Sequence, residues 1–259
     1  MSRGGYINLL QPQDRRSRAA GDSRDAVEAR ARLADAGIGR TILDGVVERA
    51  ASIPPSAERP VVVDLGSGTG DVLAALAHRR PITGVGIDLS AAAARCAARR
   101  HPAFTWVVAN ADRRLPLLDR SVHLVVSVHA RRNPAECARI LVPSGRLLVA
   151  VPAPDDLIEL RARVLGTGVE RDRAATLVAE HAPWFDVESR DQVRERQRLE
   201  RSALLDILRG TYRGRRASTA PRLEALSTLA VTLASDVFIF ARRPAAARGM
   251  RDDRPGSEG

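Results

Sequence analysis

Short apolar runs alternate with stretches of helical period through the middle of the chain, from about Arg59 to Pro152. The runs Val61–Leu65, Thr83–Ile87, Phe104–Ala109, Val122–Val128 and Arg146–Val151 are mostly apolar rather than alternating, as expected of strands buried on both faces. Between them, Val72–Arg79, Ala91–Arg100 and Pro134–Leu141 place Ala and Leu at helical spacing. Strand and helix in this alternation predict a parallel α/β sheet with right-handed crossovers and helices on both faces. Ahead of it, Arg24–Ala36 and Arg40–Ser52 read as two helices, broken at Gly37 and Gly39 and stopped by Pro54-Pro55. After it, Pro154–Val164, Arg171–Glu180 and Leu199–Leu208 read as helices, and Phe185–Arg194 and Leu229–Ala241 as strands. The last two suit an antiparallel edge pair, with Leu229–Ala241 beside Arg146–Val151, for seven strands in all. From Pro244 onward no period survives, so a disordered tail is expected. The implied division is residues 1–58 as a basic segment and helical lid, 59–243 as the α/β domain, and 244–259 as the tail.

Chemistry enters at the end of the first central strand. Asp64-Leu65-Gly66-Ser67-Gly68-Thr69-Gly70 is a tight glycine-rich turn opening a helix, where backbone N–H groups and the helix dipole meet a ligand closely. The next strand delivers Asp88, a carboxylate suited to two adjacent ribose hydroxyls. A dinucleotide site favours G-x-G-x-x-G; an acid leading the turn, as Asp64 does here, repels a pyrophosphate but suits the cationic end of a methionine. After the third strand Asn110-Ala111-Asp112 precedes Leu115-Pro116, and the Asp112 carboxylate is matched to an amine donor such as that of adenine.

Composition bounds the function class. The 259 residues are 44% hydrophobic, enough for one α/β domain with added helices. No apolar run approaches the ~20 residues of a membrane span, and no signal-peptide pattern opens the chain. Cys96 and Cys137 lack Cys-x-x-Cys partners, are expected as buried thiols in a reducing cytoplasm, and cannot make a metal site alone. The net charge of +10 is carried by Arg without a single Lys. The excess of cation makes nucleic acid, through its phosphates, a plausible partner.

The glycine turn resembles motif I of the class I S-adenosylmethionine-dependent methyltransferases, and Asp88 and Asp112 stand where that superfamily keeps its ribose and adenine acids. The resemblance implies a Rossmann-like fold and S-adenosylmethionine as cofactor, held by Asp64, Gly66, Gly68, Thr69, Asp88, Leu89, Asp112 and Asp156. A narrower resemblance rests on Gly5-Tyr6-Ile7-Asn8-Leu9-Leu10, Gly21-Asp22-Ser23 and Asp35-Ala36-Gly37, then Leu141-Val142-Pro143-Ser144-Gly145 and Pro152–Leu160. These are similar in order and spacing to the 23S rRNA guanine-N1 methyltransferases, which implies an rRNA guanine as acceptor.

The chain departs from that family in four places. Members carry a zinc ribbon ahead of the Gly-Tyr-x-Asn-Leu-Leu segment, which here starts four residues into the chain. Their aromatic-Ala-Pro after the fourth strand is His129-Ala130-Arg131-Arg132, their cofactor-contacting His corresponds to Asp156, and an aromatic contact corresponds to Gly39. Methylation at guanine N1 requires removal of a proton, and the candidates near the fourth strand's mouth are His129 and Asp156, with His123 behind them. Arg131 and Arg132 are candidates to steady the base oxygen or to meet phosphate. The rival reading is a ribbon-less relative that methylates a small molecule, or a protein that binds the cofactor without catalysis.

Overall fold

The computed structural model describes residues 4–11, 21–54, 56–165, 172–210 and 227–244. A single sheet organises them in the order β1-β4-β3-β2-β5-β6-β8-β7. Its strands are β1 (Ile7–Asn8), β2 (Val61–Leu65), β3 (Thr83–Asp88), β4 (Thr105–Val108), β5 (Val122–Val128), β6 (Leu141–Pro152), β7 (Phe185–Glu200) and β8 (Thr228–Arg242). β1 to β6 run parallel to one another, and β8 runs antiparallel to both β6 and β7. The sheet therefore has eight strands rather than the seven expected. The addition is β1, too short to show a period, which pairs Ile7 with Val107 and Asn8 with Val108.

Successive side chains of β2 explain the unbroken apolar run. Val63 and Leu65 enter one core with Val125, Ile140 and Phe240, whereas Val62 enters another with Val46, Leu73, Ala94 and Trp106. The helices are α1 (Arg24–Asp35), α2 (Arg40–Ser52), α3 (Asp71–Ala77), α4 (Ala91–Arg100), α5 (Pro134–Ile140), α6 (Ile158–Leu165), α7 (Ala174–His181) and α8 (Arg201–Gly210). α2, α3 and α4 contribute to the second core and α5 and α7 to the first, so both faces are covered. Side-chain caps start several of them where the sequence offers a Ser or Asn: Ser23 Oγ accepts from Ala26 N, Ser90 Oγ from Ala93 N, and Asn133 Oδ1 from Ala135 N ahead of Pro134.

β6 begins at Leu141 rather than the expected Arg146, since Leu141 already pairs with Val122 of β5, and three further boundaries moved through pairing with β8. The helix expected from Pro154 begins at Ile158, because residues 153–157 are tied to β8: Ala153 N donates to Ala234 O and Leu157 N to Thr232 O. β7 runs to Glu200, beyond the expected Arg194, since each added residue pairs with β8 down to Thr228. The helix expected from Leu199 accordingly starts at Arg201. A third, smaller core joins Leu199, Leu204, Ile207 and Val231 with Leu160 and Val164, and with Leu33 of α1 and Ile38 just after it. It packs α8 and α1 together. The tail beyond Pro244 and the basic run Arg15-Arg16-Ser17-Arg18 lie outside the described residues, as does the Arg-rich stretch after Gly210.

Candidate cofactor and acceptor site

β2 is the switch point of the sheet: β3 and β4 lie to one side of it and β5 and β6 to the other. Ligands of open α/β sheets bind outside the carboxyl ends of the strands at such a point. Asp64, paired with Gly86 across β2 and β3, sits there at 2% exposure. Its Oδ2 is buried and has no hydrogen-bond partner among the described residues. Burial first, and then the charges of Asp88 and Asp71, push its pKa up to about 7.

The turn after it is held by Gly66 N and Ser67 N, which both donate to Ile87 O at 2.7 and 3.2 Å. Gly66 and Gly68 adopt φ of +73° and +54°, a region that L side chains avoid. A Cβ on Gly66 would also collide with that of Ala130, so the turn lies directly against the loop after β5. Ser67 Oγ is a second buried polar atom without a partner. Thr69, buried, donates its hydroxyl proton to Asp71 at the start of α3.

Asp88 is the best-anchored of the acids. Its Oδ2 accepts from Gly68 N at 2.9 Å and its Oδ1 from Ser90 N at 2.7 Å, which binds the glycine turn to the end of β3. Burial raises its pKa and these two donors oppose the rise. Each oxygen retains an acceptor site. Leu89 follows, half-buried. Asp112 belongs to the loop after β4, whose Val108 is in register with Asp88. It is half-buried and meets the exposed Arg131 at 3.4 Å. The structure thus brings Asp64, Gly66, Gly68, Thr69, Asp88 and Leu89 together at one strand-end crevice, with Asp112 on the adjoining loop. An orphaned carboxylate oxygen, a buried hydroxyl and a second carboxylate fit the cationic, amino-acid and ribose parts of S-adenosylmethionine.

The acceptor-side candidates separate. His129 follows β5 at φ +52° and its Nε2 lies 2.8 Å from Ser235 Oγ on β8. The residue is exposed, yet the atoms crowded about its ring push its pKa down to about 4, and the nearby Arg173 acts the same way. His129 is therefore neutral at pH 7. Asp156 Oδ1 accepts from Ala234 N at 2.9 Å and so fastens the residue 153–157 turn to β8. His123 sits at the opposite end of the sheet, where its Nδ1 accepts from Val61 N at 3.1 Å. Arg132 turns inward instead of toward solvent: its guanidinium donates to Ala130 O at 2.8 Å and lies 3.1 Å from His181 Nε2. His181, 1% exposed and stacked on Phe240, is likewise held well below its usual pKa, at about 4, mainly by burial and then by Arg132.

Sequence reasoning missed the part of the candidate site that comes from the residues ahead of β2. Gly21 lies so close to β3 that a Cβ on it would be 2.7 Å from Ser90 N. Ser90 Oγ donates to Asp22 O at 2.8 Å, and Arg30 Nη1 lies 3.9 Å from the point where a Cβ on Gly68 would be. The Gly-Asp-Ser step was visible as a motif, but nothing local to it tells where it docks.

Residues 62–145 match the methyltransferase domain family. The 23S rRNA (guanine(748)-N(1))-methyltransferase of Streptomyces fradiae is 37% identical over 206 residues, which span 79% of this chain and 72% of that one. A Micromonospora griseorubida protein, named provisionally as a 23S rRNA (guanine-N(1)-)-methyltransferase, is 33% identical over 80% of this chain and 74% of its own. The chain belongs to the 23S rRNA guanine-N1 methyltransferase family. It is an S-adenosylmethionine-dependent methyltransferase. The methyltransferase fold is also seen in a Thiobacillus denitrificans enzyme solved with S-adenosyl-L-homocysteine, at TM-score 0.50 and 18% identity over 77% of this chain and 91% of that one. No helix among the described residues of the methyltransferase is long and apolar enough to cross a membrane.

Proposed function

We propose that this methyltransferase transfers a methyl group to N1 of a guanine in large-subunit rRNA. The observation that carries the reading is the similarity to the Streptomyces fradiae enzyme, which runs over most of both chains and not the cofactor motif alone. The strongly basic composition is consistent with a nucleic-acid acceptor.

The cofactor is assigned to Asp64, Gly66, Gly68, Thr69, Asp88, Leu89 and Asp112. Asp64 meets the cationic methionine end, Asp88 the ribose hydroxyls and Asp112 the adenine amine. When bound, S-adenosylmethionine supplies an electrophilic methyl on a sulfonium centre, so the protein has to align the base and relieve it of a proton.

For that proton, His129 is the candidate base. It is neutral at pH 7, and Ser235 Oγ at 2.8 Å is placed to accept from Nε2–H, which leaves Nδ1 as the proton acceptor. Ser235 is then a positioning residue. Asp156, taken up by Ala234 N, holds the turn beside β8 and acts on the site through that turn. Arg132, half-buried and bonded to Ala130 O, His181 and Ser127 rather than to a carboxylate, is suited to an oxygen that gains negative charge, as guanine O6 does when N1 is deprotonated.

Profiling the nucleosides of rRNA from a deletion strain tests the reading. Loss of one N1-methylguanosine from large-subunit rRNA, restored by the wild-type gene and not by the Asp88→Ala gene, is expected. An unchanged profile of rRNA nucleosides contradicts it.

A further inference from the structure

Acids surround the glycine turn. Asp88 and Asp71 act on Asp64 through space, and Asp22 acts on Asp88. S-adenosylmethionine brings a carboxylate to this end of the site as well as its two positive centres, and a carboxylate among like charges needs a cation. Arg100 is taken up by Asp35 at 2.7 Å and by Asp71 at 3.5 Å. Arg30, on α1, reaches the turn itself. Apart from Gly68 and its two chain neighbours, its Nη1, at 3.9 Å, is the one atom among the described residues within 4 Å of the Cβ position of Gly68.

The rest of the Arg30 side chain is already fixed. Its Nε donates to Gly210 O at 3.2 Å, at the end of α8, and its Nη2 is paired with Asp22. Asp22 O accepts from Ser90 Oγ, next to Asp88, so the ion pair is fastened to the end of β3. With 34% of the side chain exposed, the guanidinium is partly withdrawn from water. Nη1 alone has no hydrogen-bond partner among the described residues. A planar guanidinium with two edges occupied and one open toward a ligand turn is preorganised for an oxyanion.

We propose that Arg30 binds the methionine carboxylate of S-adenosylmethionine through Nη1, with Asp22 and Gly210 O holding the guanidinium in place and Asp64 taking the cationic end of the same group. This rests on the assignment of the glycine turn as the cofactor site. It makes α1 part of the cofactor pocket, and through Gly210 it joins α8 to the bound state of that pocket.

Decarboxylated S-adenosylmethionine, which keeps the sulfonium and the ammonium but lacks the carboxylate, isolates the contact. Calorimetric titration of both ligands into the wild type, Arg30→Gln and Arg30→Lys is the experiment, with thermal melts of each variant alongside. The wild type is expected to prefer the intact cofactor by roughly 10- to 100-fold, the range for a charge-assisted hydrogen bond. Arg30→Gln should lose that preference by weakening S-adenosylmethionine alone, with affinity for the decarboxylated ligand within about twofold of wild type. Arg30→Lys should retain part of the preference. Equal weakening of both ligands in Arg30→Gln assigns Arg30 to the clasp between α1 and α8 and overturns the proposal, as does no change in either. A wild type that binds neither ligand overturns the assignment of the turn itself, a separate result from the loss of discrimination.

Discussion

Asp64 is a buried carboxyl with an oxygen that no donor among the described residues meets, and its protonation is coupled to both folding and ligand binding. Its folded pKa of about 7 lies above the ordinary 3.8, so the ligand-free folded state holds a proton that the unfolded state releases. That contribution to stability is present at low pH and is lost as pH rises from about 4 through 7, up to a few kcal/mol in all. His101, His129 and His181, all held below their ordinary 6.5 mainly by burial, act in the opposite direction, and in the unfolded chain they are still half protonated at pH 6.5, so the comparison with Asp64→Asn is what isolates the carboxyl. Across pH 6.5 to 8 the ligand-free wild type should lose stability relative to Asp64→Asn, by about 1 kcal/mol or less. A difference between the two melts that stays constant over that window contradicts this. Asp88 is the sharper test of the cofactor contacts. Asp88→Ala removes a charge-assisted acceptor for ribose and should weaken S-adenosylmethionine by about 1.5–3 kcal/mol, roughly 10- to 100-fold, in a calorimetric titration. Ser235→Ala acts elsewhere: it should lower kcat and alter its pH dependence through the His129 tautomer while cofactor affinity stays within about twofold. An unchanged kcat removes His129 from the chemistry.

Among the elements, the junction of α2 with β7 depends on one small residue. A Cβ on Gly45 would lie 2.6 Å from Val193 Cγ2, and Val is stiff at χ1, so Gly45→Ala should cost about 1–3 kcal/mol by overpacking. Val193→Ala should relieve it, giving a double mutant more stable than the sum of the single effects in denaturant unfolding; strict additivity would show that the helix simply shifts. The same strand shows where sequence reading stops. Residues 195–200, Glu-Arg-Gln-Arg-Leu-Glu, carry almost no apolar alternation, and become strand because each has a partner on β8. β1 is two residues long and carries no pattern at all. The parallel core, by contrast, was readable to within a residue or two except at β6, which starts five residues before the expected Arg146, since Val61–Leu65 and its neighbours are buried on both faces and Ser90 and Asn133 mark helix starts locally. The site divides in the same way. Asp64, Gly66, Gly68 and Asp88 stand close along the chain at the ends of adjacent strands. Asp22 meets Ser90 across 68 residues, His129 meets Ser235 across 106 and Arg30 meets Gly210 across 180, and no local spacing encodes such pairs.

At the scale of the whole molecule, a formal charge of +10 on 259 residues predicts that encounter with rRNA is governed by phosphate contacts and is sensitive to salt. If Arg15, Arg16 and Arg18 each neutralise one phosphate, replacing all three by Ala should reduce the log–log salt slope of RNA binding by about two to three units, with cofactor affinity unchanged. Equal slopes for wild type and triple mutant would show that this run does not touch RNA. The central claim, a methyl group moved from S-adenosylmethionine to guanine N1 of 23S rRNA, is tested most directly in purified components. The protein is incubated with unmodified 23S rRNA and methyl-labelled S-adenosylmethionine, and the RNA is digested to nucleosides and resolved by mass spectrometry. The expected result is label in N1-methylguanosine at one position, absent with Asp88→Ala. RNA that acquires no label, or label in any other nucleoside, contradicts the claim.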